Sequence, residues 1–520
     1  MHRLLRCGLA ALAACYSPQA SAAPRQIVID VAQARQPLDR YYDLSVGSDY
    51  PGTLMRKDAQ AQLKTAVSEL GFRYLRFHAI FHDVLGTVKT VDGKPVYDWS
   101  GIDRLYDALL ARNIRPFVEL GFTPEALKSS DNSIFWWKGN TSHPRPEMWR
   151  DLVDAFVRHV EARYGRDEVE RWYFEVWNEP NLDGFWEKAD QPAYFALYDS
   201  TARTVKAVDP KLRVGGPSTA GAAWVPEFLN HVARAGAPID FVTTHSYGVD
   251  GGFLDEHGQS DTKLSTSPDS ITGDVRKVRA QIQASKFPGL PLYFTEWSTS
   301  YTPRDPVHDS YVSAPWILTK IHDAKGLLQG MSYWTYTDIF YEPGAPPSEA
   351  FHGGFGLMNV DGVRKPAWLA YKYLHALRGN AVPVADDRAI AASDSGKVAA
   401  LVWDWSQPKQ DRSDRPFYTK AHPSAATRPA LLAFRHLRPG RYVMTVRRTG
   451  FRRNDPQTAY LEMGSPAKLS VGQLARLQRL TRDVPETSQT VRIGPDGRFG
   501  VTLPMRTNDV VLVQLERKPR

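Results

Sequence analysis

The stretch YFEVWNEPN, residues 173–181, joins an aromatic, apolar run to an abrupt polar end. Its first half has the nearly continuous apolar character of a strand buried in a parallel sheet. The run stops at Asn178, Glu179 and Pro180, where a carboxylate stands between an amide and a proline. A glutamate adds nothing to a core, so Glu179 is either a solvated loop residue or a catalytic acid. The rest of the chain has to decide between these two interpretations.

Seven other short apolar runs share this strand-like character, and an amphipathic stretch follows each of the eight. The predicted strands are residues 43–48, 73–78, 115–120, 172–177, 212–216, 240–245, 292–296 and 331–336. The predicted helices are residues 58–70, 102–112, 145–163, 192–207, 224–235, 270–284, 312–326 and 366–378. Eight strand–helix pairs predict an α/β fold of the (β/α)8 TIM-barrel type. A doubly wound open sheet is the alternative, but its first strand would need a glycine-rich turn that VGSDYPG (46–52) does not supply.

The sequence pattern changes after residue 380, where strand–helix pairs no longer alternate. Short alternating runs separated by Gly, Pro, Asp and Asn predict an accessory antiparallel β-sandwich domain. The strand-like run RQIVIDV (25–31) has no place among the eight pairs, so we expect it to join this C-terminal sheet. The expected organisation is a signal peptide (1–22), an N-terminal strand segment (23–40), the catalytic barrel (41–378) and the β-sandwich (379–520).

The N-terminus has the pattern of a secretory leader. A basic start precedes a run of small apolar residues, and ASA (20–22) offers a cleavage site, so a secreted or periplasmic protein is expected. The alternative is a bacterial lipobox, LAAC (12–15), which would leave a lipid-anchored Cys15. Cys7 and Cys15 both lie in this leader, so the processed chain has no thiol for a disulfide or zinc site. No other segment is long and apolar enough to cross a bilayer.

Composition and charge exclude little but point away from nucleic acid. The formal net charge is +8, and part of the excess lies in RRTGFRR (447–453), yet no nucleic-acid recognition motif accompanies it. We interpret this segment as a solvated basic face. The 14 Trp and 23 Tyr residues are typical of sugar-binding proteins, although a large aromatic core has the same composition.

Chemistry in a (β/α)8 barrel is carried at the carboxyl ends of the strands. Polar or aromatic side chains stand at or just after six of the eight predicted strand ends: His78, Phe122, Asn178, Glu179, His245, Tyr247, Glu296, Trp334 and Asp338. Glu179 and Glu296 follow the fourth and seventh strands, which face each other across the mouth of a barrel. Two facing carboxyl groups, one protonated and one ionised, are what glycoside hydrolysis requires. Glu175 and Glu119 lie inside predicted strands, and we interpret them as barrel-interior or ion-paired residues.

Several longer motifs are similar to those of a known family. YLRFHAIFHD (74–83), SIFWWKGNTSHP (133–144), YFEVWNEPNLDGFW (173–186), TEWSTSYTPRDPVHDS (295–310), SYWTYTDIFYE (332–342) and FHGGFGLMN (351–359) resemble glycoside hydrolase family 39, most of all its β-xylosidases. The resemblance spans the whole predicted barrel. It implies hydrolysis with retention of configuration through a covalent glycosyl-enzyme, with Glu179 as acid/base and Glu296 as nucleophile.

The resemblance also implies roles for the pocket around these glutamates. Asn178 would bind the sugar 2-hydroxyl, and Glu342 would bind the far hydroxyls. His78, His245 and Tyr247 would bind hydroxyls or orient the nucleophile, and the pocket walls would be Phe122, Trp186, Tyr301 and Trp334. Two positions depart from the family pattern, because Tyr341 stands where glutamate is common and Ala79 where glycine is frequent.

These observations predict an exo-acting β-xylosidase that releases xylose from xylo-oligosaccharides. The alternatives are an α-L-arabinosidase or another family 39 glycosidase with the same mechanism, and, from another class, a non-catalytic carbohydrate-binding protein. An iduronidase-like activity would need cations in the pocket to bind the substrate carboxylate. No pair of histidines has metal-ligand spacing on one element, so no metal and no cofactor are expected. The expected partner is an oligosaccharide, not nucleic acid, and the oligomeric state is unknown from the sequence.

Overall fold

The computed structural model describes residues 23–519. The predicted signal peptide, Cys7 and the alternative lipid anchor at Cys15 lie outside these residues. Among the residues described, no helix has the length and apolar character needed to span a membrane.

Eight parallel strands close into a barrel, which confirms the predicted fold class. The barrel strands β1–β8 are Ser45–Ser48, Tyr74–Phe77, Arg115–Leu120, Tyr173–Val176, Arg213–Thr219, Phe241–Tyr247, Leu292–Ser298 and Gly330–Tyr333. The barrel closes where Ser332 of β8 pairs with Ser45 of β1. The surrounding helices α1–α8 are Lys57–Leu70, Ser100–Leu110, Pro146–Tyr164, Gln191–Val208, Val225–Ala235, Thr272–Ala284, Ser313–Ala324 and Pro366–Ala376.

An aromatic plug fills the amino end of the barrel. Its buried members lie in or just before five of the strands and in the segment before β1: Leu44, Tyr74, Phe117, Tyr173, Phe241 and Tyr293. Phe117 stacks on Tyr173 with ring centroids 4.7 Å apart. Because this end is packed with large apolar side chains, a substrate can enter the barrel only from the carboxyl ends of the strands.

Three antiparallel hairpins rise from the loops at those carboxyl ends. Their strand pairs are Val88–Val91 with Lys94–Tyr97, Ser133–Ile134 with Gly139–Asn140, and Val249–Leu254 with Ser260–Leu264. They follow β2, β3 and β6 respectively. They therefore extend the loops around the barrel mouth.

Two further sheets pack face to face beside the barrel. The three-stranded sheet has the order Arg25–Asp30, Ala430–Arg435, Phe499–Leu503. The seven-stranded sheet has the order Gln36–Pro37, Asn380–Val382, Ala389–Asp394, Lys397–Trp403, Val510–Arg517, Gly440–Thr449, Thr487–Ile493. Arg25–Asp30 pairs in parallel with Ala430–Arg435, whereas the other pairs are antiparallel. One apolar core, including Ile29, Phe434 and Val513, joins the two sheets.

Short helices complete the chain at Pro51–Leu54, Arg166–Val169, Asp414–Tyr418, Pro456–Glu462 and Val471–Leu480. The last three lie in long connections between sandwich strands, which the alternating strand pattern did not predict. Gln457 donates hydrogen bonds to the backbone carbonyls of Pro306 and Tyr418 at 3.3 and 3.0 Å. Gln457 therefore connects the helix Asp414–Tyr418 to the loop that contains Pro306, which follows β7 at the barrel mouth.

Candidate active site

A cavity of about 580 Å³ opens at the carboxyl ends of the barrel strands. Its polar lining includes His78, Asn178, Glu179, Asn181, Ser246, Tyr247, Asp274, Glu296, Tyr301 and Glu342. Its apolar lining includes Phe135, Leu182, Phe185, Val249, Trp334 and Phe355. A concave site in which apolar side chains and converging polar groups share the lining has the general form of a ligand site.

Glu179 lies just past β4 in a tight turn. Trp177 and Glu179 both adopt the left-handed region, with φ of 71° and 47°, and the Glu179 amide donates to the Ser218 carbonyl at 2.8 Å. This backbone turns the carboxyl group into the cavity, where burial raises the pKa of Glu179 to about 7. A carboxyl group in this state is available as a proton donor near neutral pH.

His245 at the end of β6 contacts Glu179 directly. Its Nδ1 lies 2.8 Å from Glu179 Oε1, and its Nε2 lies 3.2 Å from Thr295 Oγ1. Burial lowers the pKa of His245 to about 4, so the ring is neutral at physiological pH. A neutral imidazole orients the Glu179 carboxyl group without forming the ion pair that would pull its proton away.

Glu296 lies in β7 between two donors. Arg76 Nη1 is 2.8 Å from Glu296 Oε1, and the Tyr247 hydroxyl donates to Glu296 Oε2 at 2.6 Å. Both carboxylate oxygens are therefore oriented by charge-assisted hydrogen bonds. Glu179 and Glu296 thus occupy different electrostatic surroundings in one cavity.

The two carboxyl groups are close together. One oxygen of Glu179, one ring nitrogen of His245 and one oxygen of Glu296 all lie within 4.8 Å of one another. Retaining glycosidases place their two carboxyl groups about 5–5.5 Å apart, whereas inverting enzymes need room for a water between them.

Glu179, His245 and Glu296 also have the chemistry of metal ligands. Because they come from three elements, spacing on a single element did not reveal them, and the absence of a metal stays a prediction.

Arg76 connects the catalytic groups from below and was missed in the sequence. Its guanidinium, fully buried in β2, lies 2.6 Å from Glu175, 3.1 Å from Glu119 and 2.8 Å from Asn178 Oδ1. Glu175 and Glu119 are therefore ion-paired in the barrel interior, which confirms that interpretation. The available signal was an arginine inside an apolar strand, since a buried cation needs several anionic partners.

Asn178 presents a free donor to the cavity. Its Oδ1 accepts from Arg76, which fixes the orientation of the amide, while its Nδ2 is buried and has no protein partner among the residues described. A buried donor without a partner is costly unless a ligand satisfies it. The geometry therefore provides a position for a substrate hydroxyl beside the two glutamates.

His78 and Glu342 line the far side of the same cavity. His78 Nδ1 lies 2.7 Å from Glu119, and its Nε2 lies 3.2 Å from Glu342 Oε1. Burial opposes protonation of His78, but the Glu119 and Glu342 carboxylates outweigh it and raise the pKa of His78 well above its usual value. Burial raises the pKa of Glu342 to about 8. The Trp334 ring lies beside His78, with centroids 4.7 Å apart.

The model of Glycosyl hydrolases family 39 matches residues 25–498 of the chain. The chain belongs to this family. A β-xylosidase of Geobacillus stearothermophilus is 39% identical over 381 residues, which cover 72% of this chain and 75% of the relative. Among solved structures, the GH39 enzyme from Xanthomonas axonopodis pv. citri is 64% identical with a TM-score of 0.95, covering 96% of this chain and 100% of that one. A monomeric β-xylosidase from Caulobacter crescentus CB15 is also 64% identical, with a TM-score of 0.94 and coverage of 95% and 100%.

Two aromatic residues predicted to wall the family 39 pocket lie elsewhere. Phe122 is buried behind His78 and against Trp137, with ring centroids 6.1 and 6.2 Å apart. Trp186 turns away from the cavity, stacks on His143 at 4.1 Å and donates its indole N–H to the Asp190 carbonyl. Phe122 is therefore enclosed by other aromatic rings behind the lining, and Trp186 packs toward Tyr194 of α4.

Phe135, Phe185 and Phe355 line the cavity of this family 39 protein instead. The first and third lie in SIFWWKGN and FHGGFG, motifs that were recognised without choosing which ring faces inward. The predicted wall residues Tyr301 and Trp334 do line the cavity, and Tyr301 is half exposed at its rim. The choice among neighbouring aromatics depends on loop conformation, which alternation and spacing do not encode.

The two departures from the family pattern lie outside the cavity lining. Ala79 is fully buried at a left-handed φ of 59°, a conformation in which glycine is less strained, which explains why glycine is frequent there. The Tyr341 amide donates to Asp49 at 2.8 Å, and its ring lies against Trp136. Asp338 does not reach the cavity but is buried against Lys365 at 2.7 Å.

Proposed function

We propose that this family 39 protein is a retaining, exo-acting β-xylosidase that releases xylose from xylo-oligosaccharides. The observation that carries the proposal is the pair Glu179 and Glu296. One is a buried carboxyl group whose pKa is raised to about 7, and the other is paired with Arg76, and both face one cavity. The relatives named above support xylosides as the substrate class.

The first step forms the glycosyl-enzyme. Glu179, protonated near neutral pH, donates its proton to the glycosidic oxygen, and the leaving sugar departs as a neutral alcohol. A Glu296 oxygen attacks the anomeric carbon from the opposite side and forms an ester with inverted configuration. Arg76 and Tyr247 hold Glu296 in position for this attack.

The second step releases xylose. Glu179, now ionised, takes a proton from a water, whose oxygen attacks the anomeric carbon and displaces Glu296. The second inversion restores the β configuration. The Asn178 amide donates to the 2-hydroxyl in both steps, and hydrogen bonds at this position strengthen in the oxocarbenium-like transition state.

The charge of the cavity favours a neutral sugar. Among the described residues that line it, none is a lysine or an arginine. A uronic acid would place its carboxylate near Glu342 and Glu296, while the cationic His78 of the lining is already paired with Glu119 and Glu342. A further carboxylate without a cation of its own is costly in a buried site. An α-L-arabinosidase keeps the same mechanism and remains the alternative, because arabinose and xylose differ only in hydroxyl configuration.

We propose export from the cytoplasm on the basis of the leader pattern in residues 1–22. Cleavage after Ala22 would leave a mature chain that starts just before the strand Arg25–Asp30. Mass spectrometry of the exported protein tests this: a free N-terminus at Ala23 supports it, whereas a lipid on Cys15 or an intact leader contradicts it.

Hydrolysis of a panel of aryl glycosides, followed by NMR, tests the function. We expect aryl β-D-xyloside to be hydrolysed faster than aryl α-L-arabinoside, with β-xylose as the first anomer observed. Initial α-xylose would contradict retention, and a faster arabinoside would favour the alternative. Binding of xylo-oligosaccharides without hydrolysis would indicate a carbohydrate-binding protein.

A further inference from the structure

A buried ion cluster lies behind the cavity, outside the catalytic groups. Lys365 Nζ is 2.6 Å from Asp309 Oδ1 and 2.7 Å from Asp338 Oδ2, and all three side chains are fully buried. We call these three residues the ion triad. A buried cluster of this kind is weak evidence for stability, but it holds its neighbours in one arrangement when its remaining polar atoms are satisfied.

The ion triad binds the backbone of one glycine-rich loop, residues 351–357. The Gly353 amide donates to Asp309 and the Gly356 amide to Asp338, each at 2.7 Å, while Lys365 donates to the Gly354 carbonyl at 2.8 Å. A Cβ atom at Gly354 or Gly356 would overlap the Asp338 carboxylate. The sequence FHGGFG is thus required for the backbone to lie directly on the ion triad.

This loop carries Phe355 into the cavity. Phe355 is nearly fully buried, packs against Phe340 at 5.3 Å and belongs to an apolar cluster with Trp334 and Tyr247. Its own carbonyl accepts a hydrogen bond from the Thr335 amide just after β8. The ring is therefore held by aromatic packing, and the backbone on either side of it is held by the ion triad.

Three polar groups of the cavity lining are connected by one chain of ion pairs and hydrogen bonds. Asn178, His78 and Glu342 follow one another along this polar chain, linked through Arg76 and Glu119. A pyranose whose anomeric carbon faces Glu296 and whose 2-hydroxyl meets Asn178 would place its 3- and 4-hydroxyls along this polar chain. Its C5 would then face away from the chain, toward Tyr247, which contacts Glu296, and Phe355 of the same apolar cluster.

We propose that Phe355 is the residue that selects a pentose over a hexose, and that the ion triad positions it. The inference rests on the proposed function. In xylose C5 carries only hydrogens, which suit an aromatic face. In glucose C5 carries a hydroxymethyl group, which would meet Phe355 and lose the hydration of its hydroxyl without a replacement partner.

The test compares aryl β-D-glucoside with aryl β-D-xyloside in Phe355→Ala. Both substrates have the same leaving group, so kcat/KM for the glucoside divided by kcat/KM for the xyloside depends only on the glycone. We call this quotient the glucoside ratio. We expect the ratio to rise by about tenfold or more over the wild type, since a pocket contact the size of a methylene is worth this much. Phe355→Leu, which keeps more of the packing, should shift the ratio less. A ratio within twofold of the wild type in both variants would overturn the proposal.

A matched control is Phe185→Ala, which removes a cavity-lining ring from the loop that follows Glu179. This variant should change the rates on both substrates by the same factor, because Phe185 packs against Phe135 and is not part of the cluster that holds Phe355. An equal rise of the glucoside ratio in Phe185→Ala would mean that any enlargement of the cavity admits a hexose, which would overturn the assignment to Phe355.

Asp338→Asn tests the ion triad as a positioning element. Asparagine still accepts from the Gly356 amide but loses the charge that pairs with Lys365. We expect the glucoside ratio to shift in the direction of Phe355→Ala, whereas a merely structural role would lower both rates together and leave the ratio unchanged.

Binding of imino-sugar inhibitors with and without the hydroxymethyl group supplies a readout independent of turnover. If the wild type hydrolyses no xyloside, the proposed function fails; if it does and the ratios do not move, only this inference fails.

Discussion

At the scale of single residues, Glu179 and Glu296 are chemically identical and are separated only by their surroundings. Glu179 contacts a neutral His245 and is raised in pKa by burial, whereas Glu296 is paired with Arg76 and accepts from Tyr247. Environments that differ in this way assign the proton to one carboxyl group and the nucleophilic role to the other.

Glu296→Gln should abolish turnover of every substrate. The amide is nearly isosteric but has no anionic oxygen to attack the anomeric carbon, so we expect kcat to fall by roughly 10³-fold or more. The measurement is kcat on an activated aryl β-xyloside. Glu256→Gln, at an exposed hairpin position, is the matched control and should keep wild-type activity. More than a tenth of the rate in Glu296→Gln would show that another group is the nucleophile.

Glu179→Ala should behave differently from Glu296→Gln. Only the first step of the reaction, formation of the glycosyl-enzyme, depends strongly on the leaving group. Xylobiose needs a proton on its leaving oxygen and should be cleaved very slowly, whereas a dinitrophenyl β-xyloside should still form the glycosyl-enzyme. Azide needs no general base, so it should restore turnover and yield the β-glycosyl azide. An α-azide product would exchange the roles of the two glutamates, and slow reaction of both substrates without rescue would exclude Glu179 as acid/base.

The pH dependence follows from the pKa of Glu179, which is raised to about 7. The carboxyl group is protonated below this value and loses its proton above it, so kcat/KM for xylobiose should fall as pH rises through about 7. The same limb should be absent from azide-rescued Glu179→Ala on the dinitrophenyl substrate. A wild-type alkaline limb that persists in this variant would have to arise from another group.

At the scale of elements, the barrel depends on where helices end and on how α8 meets α1. Gly71 ends α1 with φ of 78°, and the ring of His375 from α8 lies directly against it. Gly236 ends α5 in the same left-handed conformation, with φ of 57°, but faces open space. The two glycines therefore separate the cost of backbone conformation from the cost of a packed contact.

Gly71→Ala should destabilise the protein more than Gly236→Ala. Both substitutions put an L-residue in the left-handed region at about 1–2 kcal/mol. Only at Gly71 does the new Cβ also overlap His375, which should add roughly 1–3 kcal/mol for overpacking. Denaturant unfolding of both variants measures the difference. Equal losses of stability would mean that α8 shifts freely against α1 and that this contact does not hold the barrel closed.

At the scale of the whole molecule, the barrel and the sandwich share buried surface. Trp403 is fully buried and donates its indole N–H to Thr319 Oγ1 of α7 at 3.0 Å. Tyr373 of α8 donates to Asp483 Oδ1 at 2.6 Å. Leu401 and Leu512 belong to the same apolar cluster as the barrel helices. The seven-stranded sheet thus covers an apolar face of α7 and α8.

A protein truncated after residue 380 should be insoluble or unstable. It would expose the α7 and α8 surface that Trp403, Leu401 and Leu512 cover, and exposed apolar patches of this kind lead to aggregation. It would also leave Arg25–Asp30 without its partner strand. Expression yield and thermal unfolding test this. A soluble fragment with full activity would show that the sandwich contributes nothing to the folding of the barrel.

The alternation of apolar strands with amphipathic helices was enough to predict the barrel, because each element must bury one face and eight such pairs have few ways to do so. Glu179 and Glu296 were found for the same reason, since parallel strands deliver their carboxyl ends to one rim. Arg76 was not found, because a cation inside a strand makes sense only once Glu119, Glu175 and Glu296 surround it. Phe122 and Trp186 were predicted to line the cavity, whereas Phe135 and Phe355 line it in the structure. The direction of each ring is set by left-handed turns and by glycine contacts between segments far apart in the chain, which local pattern does not show. Local pattern thus determined which elements form and which strand ends carry chemistry, whereas charge pairing and loop packing, which need distant residues in contact, were decided only by the tertiary structure.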